Sequence, residues 1–126
     1  MVSGIEQMAG ETTIADDVIA TIAAVAAREV QGVSKLGTSS IRRSLTERVG
    51  VGEPRARGVS VEVGKKEAII DLTFNVTYGY SIPKIISEVR SRVASRISEL
   101  AGLTAKEINI NVAGLEFEEK RESPVA

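Results

Sequence analysis

The stretch that decides the fold reads Val59-Ser60-Val61-Glu62-Val63-Gly64-Lys65-Lys66-Glu67-Ala68-Ile69-Ile70-Asp71-Leu72-Thr73-Phe74-Asn75-Val76-Thr77-Tyr78. Successive strand side chains point to opposite faces, so alternation reports a strand with one buried side. Val59, Val61 and Val63 alternate with Ser60 and Glu62. Ile70, Leu72, Phe74 and Val76 alternate with Asp71, Thr73, Asn75 and Thr77. Residues 64–67 separate the two runs by a length common in hairpins. The pattern predicts an antiparallel hairpin of strands 59–63 and 68–78 with a single apolar face.

A sheet with one apolar face needs a covering layer, and the flanking sequence supplies two helices. Downstream, Ile82, Ile85, Ile86, Val89, Val93, Ile97 and Leu100 recur at helical spacing. Ser81 is placed to cap this helix, Pro83 sits in its first turn where a missing N–H costs nothing, and Gly102 ends it. Upstream, Val18, Ile19, Ile22, Ala23, Ala26, Ala27 and Val30 form a second stripe that stops at Gly32. Its start is open between Ala15 and a capping box of Thr13 with Asp16. An extended piece at 10–13 and the alternation Ile108-Asn109-Ile110-Asn111-Val112 complete the pattern. The order strand–helix–strand–strand–helix–strand predicts an α+β fold, two helices packed on one face of a small mixed or antiparallel sheet. One domain is expected over 10–117, with a flexible N-terminus at 1–9, a flexible basic insert at 34–58 and a flexible tail at 118–126.

Composition narrows the chemistry. The chain has 126 residues with no His, Cys or Trp. That removes disulfides, thiol nucleophiles, the commonest metal ligand and the side chain that titrates nearest neutrality. No catalytic, cofactor-binding or metal-binding residues are therefore assigned, and a non-enzyme is expected. Asp71 and Glu62 are the one carboxylate pair on neighbouring strands, and they read as a solvated face. Gly50, Gly52 and Gly58 lack the spacing of a dinucleotide fingerprint, and no Walker pattern occurs. Aromatics are 3% of the chain (Phe74, Tyr78, Tyr80 and Phe117), too few for a platform that stacks single-stranded nucleic acid. Neither a signal peptide nor an apolar run of membrane-spanning length is read from the sequence, so a cytoplasmic protein without direct membrane insertion is expected.

The net charge of −1 conceals an uneven distribution. Lys35, Arg42, Arg43, Arg48, Arg55 and Arg57 face only Glu47 and Glu53, whereas Glu6, Glu11, Asp16 and Asp17 make the start acidic. The six basic residues are the candidate partner-binding site. A loop of that charge suits an acidic partner, an anionic surface or RNA.

Four segments together carry a resemblance: Glu29-Val30-Gln31-Gly32-Val33; Gly58-Val59-Ser60-Val61-Glu62-Val63-Gly64; Ile70-Asp71-Leu72 running on to Tyr78-Gly79-Tyr80-Ser81-Ile82-Pro83; and Ala101-Gly102-Leu103 followed by Ile108-Asn109-Ile110-Asn111-Val112. In this order and spacing the chain resembles the alkaline shock protein family, the Gls-type envelope stress response proteins of Gram-positive bacteria, and looks most like actinobacterial members. The resemblance spans about 10–117. Ala15 departs from it, since the family often has Ser there, which affects capping only. The resemblance implies a protein of the cell-envelope stress response, a homo-oligomer, held near the membrane by a small integral-membrane anchoring protein or a family paralogue. The alternative is a nucleic-acid- or ribosome-associated module using residues 35–57.

Overall fold

The computed structural model describes residues 10–36 and 58–118. Helix α1 covers Asp16–Arg28, followed by strands β1 (Val33–Leu36), β2 (Val59–Val63) and β3 (Glu67–Thr77), helix α2 (Ile82–Ala101) and strand β4 (Thr104–Glu116). The strands form one four-stranded sheet centred on β3. Along one edge of β3 run β2 and then β1, both antiparallel, with Val61 opposite Ile70 and Leu36 opposite Phe74. Along the other runs β4, parallel, with Ile70, Leu72 and Phe74 opposite Ile108, Ile110 and Val112. Parallel neighbours need a crossover, and α2 provides it. The sheet is therefore mixed, and the class is α+β as expected.

Both helices pack on the face of β3 that carries Ala68, Ile70, Leu72, Phe74 and Val76, every one buried. From α2 come Ile85, Val89, Val93 and Ile97, each four residues from the last. Helix α1 contributes Ile19, Ala23, Ala26 and Ala27, and also Ala20 and Ala24. Small side chains on so wide an arc let α1 lie close to both the sheet and α2. Burial of large core side chains such as Phe74 and Ile70 stabilises by about 1.5–3 kcal/mol each.

Caps and turns follow the residue types. The Ser81 hydroxyl accepts from the Lys84 N–H at 3.4 Å, and Gly102 closes α2 with φ 72°. Helix α1 starts after Ala15 with no side-chain cap, which settles that choice against Thr13. Gly32 has φ 102°, and a Cβ there would lie 2.6 Å from Ile85 Cδ1 and 3.1 Å from the Tyr80 ring. Both the backbone conformation and the close approach demand glycine.

Three expectations change. Residues 10–13 form no strand; the place beside β3 is taken by Val33–Leu36, of which 34–36 fall within the expected insert. The fourth strand thus follows α1 instead of preceding it. Strand β4 is much longer than 108–112, at 13 residues. Two register shifts against β3, one leaving Lys106 unmatched and the other Ala113, break the alternation at both ends. In the helices, Val18 and Leu100 lie outside the core at 48% and 66% exposed.

Candidate interaction surfaces

The uncovered face of the sheet presents Ser60 and Glu62 from β2, Asp71, Thr73, Asn75 and Thr77 from β3, and Glu107, Asn109, Asn111 and Glu116 from β4. Strand alternation puts these opposite the core. They form a polar ladder. Asn109 Nδ2 donates to Asp71 Oδ1 at 2.9 Å and reaches Glu107 Oε1 at 3.5 Å. Asn75 Nδ2 donates to Glu116 Oε2 at 2.8 Å. That bond runs across Gly114, where a Cβ would stand 2.8 Å from Asn75 Oδ1. Glu62 is opposite Ile69, and Asp71 is opposite Ser60, so the two carboxylates are diagonal neighbours and not a facing pair. Among the described residues no three acidic groups gather as a metal site would require.

At the end where β3 and β4 finish, apolar side chains stay in the open. The Tyr78 and Phe117 rings stack with centroids 5.0 Å apart, and they are 62% and 69% exposed. Leu115 lies beside them in sequence and is also exposed. The Tyr78 N–H donates to the Glu116 carbonyl at 2.8 Å, which ties the two strand ends together. Aromatic pairs fixed in this way contribute rigid contact area at small entropic cost.

The outer edge of β4 is the third surface. Among the described residues β4 pairs with β3 alone. On its other side the Ile108 carbonyl accepts from Arg90 Nε of α2 at 3.0 Å. A charged side chain laid against a strand edge is a common way of blunting it. Elsewhere on α2, Arg96 grips the Glu29 carboxylate with two bonds of 2.8 and 3.2 Å, and Arg92 adds a third at 3.4 Å. The Arg96 hydrogen bonds hold the Glu29 carboxyl below its ordinary value, against partial desolvation and helped by the charges of Arg96 and Arg92. The same bond raises Arg96.

Of the candidate basic residues, Lys35 lies in β1 opposite Asn75. Arg42, Arg43, Arg48, Arg55 and Arg57 lie outside the described residues. The sequence reading missed the Tyr78–Phe117 stack. Tyr78 closes an alternating strand in the sequence, but Phe117 lies beyond the bulge at Ala113, and their pairing depends on the parallel register of β3 and β4.

An open hollow of about 310 Å³ lies at the hairpin end, lined by Glu62, Val63, Gly64, Glu67, Ile69 and Lys106. Lys106 and Glu67 approach to 4.0 Å there, both well exposed. The site is a surface groove between solvated charges, and it brings no nucleophile beside a base. No helix among the described residues is long and apolar enough to cross a membrane.

A model of the alkaline shock protein 23 family, described as of cell envelope-related function, matches residues 4–117. The chain belongs to that family. The uncharacterized protein YqhY of Bacillus subtilis is 33% identical over 111 residues, 88% of this chain and 81% of its own length. YloU of the same organism is 30% identical over 107 residues, 84% and 88% of the two chains. A Streptococcus pyogenes relative named "Stress response regulator gls24 homolog" is 30% identical over 115 residues. Those cover 90% of this chain but 63% of the relative, so this chain spans less than two thirds of the streptococcal protein. These matches bear out the resemblance to Gls-type alkaline shock proteins. A solved MamM CTD chain superposes with TM-score 0.48 at 11% identity, over 82% of this chain and 86% of its own.

Proposed function

We propose that this family member is a non-catalytic protein of the cell-envelope stress response that acts by self-association and by recruitment through a membrane-anchored partner. The observation that carries the reading is the family match over residues 4–117, with its envelope-related function. The gls24-named relatives supply the stress connection. The surfaces support a binding role. On the open face Asp71, Glu107 and Glu116 are engaged with asparagines along the polar ladder. The stacked Tyr78 and Phe117 offer an apolar anchor of the kind that partners bury.

Sedimentation across a wide concentration range, together with affinity capture from detergent extracts of envelope-stressed cells, tests the reading. Concentration-dependent assembly and retention of an integral-membrane protein are expected. A monomer at every concentration that retains no membrane protein overturns it. If instead a salt-sensitive RNA shift is seen and is lost on changing Arg42, Arg43 and Arg48 to Ala, the nucleic-acid reading replaces it.

A further inference from the structure

We infer that the outer edge of β4 pairs with β4 of a second copy of this chain, antiparallel about a two-fold axis at Ile110, so that two four-stranded sheets continue as one. The inference rests on the self-association reading and names the surface that performs it.

The edge itself comes first. Strand β4 has 13 residues and, among the described residues, a hydrogen-bonded neighbour on one side only. A long strand with an unpaired side is a template for another strand. The direction of its free groups is visible at Ile108, whose carbonyl is met by Arg90 from α2. The N–H and C=O of one strand residue point to the same side, and that side alternates along the chain. Ile110 and Val112 therefore present their backbone groups outward with Ile108. An antiparallel partner makes its paired hydrogen bonds where outward residues face outward residues, so the register must match this set with itself.

The sequence of the strand then chooses the occupant. In a two-fold pairing, if residue i meets j, then j meets i. A strand suited to its own copy should therefore read nearly the same in both directions. Ile108-Asn109-Ile110-Asn111-Val112 does. About Ile110, Ile108 meets Val112, Asn109 meets Asn111, and Ile110 meets itself. All three outward residues fall on outward residues.

Further out, Glu107 meets Ala113, Lys106 meets Gly114, and Thr104 meets Glu116, so no acid opposes an acid. Ile110 is also the midpoint of Thr104–Glu116, so this register uses the whole strand. The bulges at Lys106 and Ala113 lie on either side of the regular run that contains all five central residues. The isoleucines and Val112 fall on the helix-covered side in both copies, and the asparagines fall on the open side. Both layers are thus continued across the junction. An unrelated extended peptide could use the same backbone groups, but it would have no reason to find the strand's own reversed pattern. Arg90 must release the Ile108 carbonyl for the pairing to close.

The absence of cysteine from the chain gives a direct test. Asn109→Cys and Asn111→Cys are made separately in the full chain, both at exposed positions, and one variant is tagged so that products differ in mass. Facing residues in an antiparallel pair have Cα atoms about 4.5–5.5 Å apart, inside the disulfide range. Position 109 against 109, or 111 against 111, is offset by two residues and falls beyond about 7 Å. Mild oxidation of an equimolar mixture should form the mixed disulfide several-fold faster than either same-variant product.

Sedimentation of the wild-type chain is run in parallel. A dimer that cross-links at random, or not at all, overturns the β4 pairing while leaving self-association in place. A wild-type chain that stays monomeric throughout, with no cross-linking, overturns both.

Discussion

The two faces of β3 belong to the same residues' backbone and yet serve opposite ends. On one face Ala68, Ile70, Leu72, Phe74 and Val76 are at most 1% exposed and meet both helices. On the other, Asp71, Thr73, Asn75 and Thr77 line the open side, where Asp71 accepts from Asn109 and Asn75 donates to Glu116. The first face holds nearly all the apolar burial that β3 provides, so a change there is felt by the whole domain. The second carries a few hydrogen bonds of about 1 kcal/mol each, so it can be altered without loss of the fold. Binding surfaces in this protein are expected on the second face and at its margins, where residues are free to suit a partner.

The sharpest way to break this contrast is Phe74→Ala. It removes the largest fully buried side chain and should cost about 3–5 kcal/mol, a large share of the 5–15 kcal/mol typical of a domain. Chemical denaturation would show the midpoint falling steeply; a loss below about 1 kcal/mol would mean that the helices do not pack on this face. Gly32→Ala attacks the same layer from the helix end, since a Cβ there meets Ile85 and the φ of 102° disfavours any other residue. A loss of about 1–3 kcal/mol is expected from the backbone conformation alone, read by the same denaturation.

The covered face is also the part that was legible in sequence. Period-two alternation in β2 and β3 and the four-residue spacing of Ile85, Val89, Val93 and Ile97 each need only one element to be recognised. What escaped recognition depends on neighbours. Val33–Leu36 is a short run after Gly32 that becomes a strand because the end of β3 has an open edge beside it. Residues 10–13 looked equally extended and found no edge. Ala20 and Ala24 are buried because α1 is wedged between sheet and helix, and alanine alone gives little sign of that. The ends of β4 were hidden by bulges that shift the alternation by one residue. Of the candidate site, the basic residues were visible as charge. The Tyr78–Phe117 stack and the Arg90 contact exist only through the parallel register and crossover of the fold.

On the open face, Gly114→Ala sharpens the contrast. The added Cβ would displace the Asn75 amide and break its bond to Glu116. A loss of about 1–2 kcal/mol is expected, smaller than for Phe74→Ala although both positions touch β3. At the margin, Arg90→Ala should change stability by no more than about 1 kcal/mol, because its bond to the Ile108 carbonyl is exposed. It should also tighten self-association by about thirtyfold, the equivalent of freeing two hydrogen-bond acceptors, one on each copy, at about 1 kcal/mol each. Sedimentation equilibrium measures the second effect; weaker association in the variant would show that Arg90 supports the contact and does not compete with it.

The smallest effect belongs to the outer surface of the helices, far from either face of β3. Glu29 is held by Arg96 and Arg92, and its carboxyl titrates below the ordinary 4.5. The folded state therefore binds this proton less readily than the unfolded chain does. The stabilisation is fully present above pH 4.5 and drains away as the pH falls through the lowered folded value. Because the group is exposed, solvent and salt screen the interaction, and the effect on melting temperature should be small. Glu29→Gln removes the titrating group, so between about pH 5 and pH 3 its melting temperature should fall less than that of the wild type. Added salt should narrow the difference. An equal fall in both proteins would show that the Glu29–Arg96 contact is not maintained in solution.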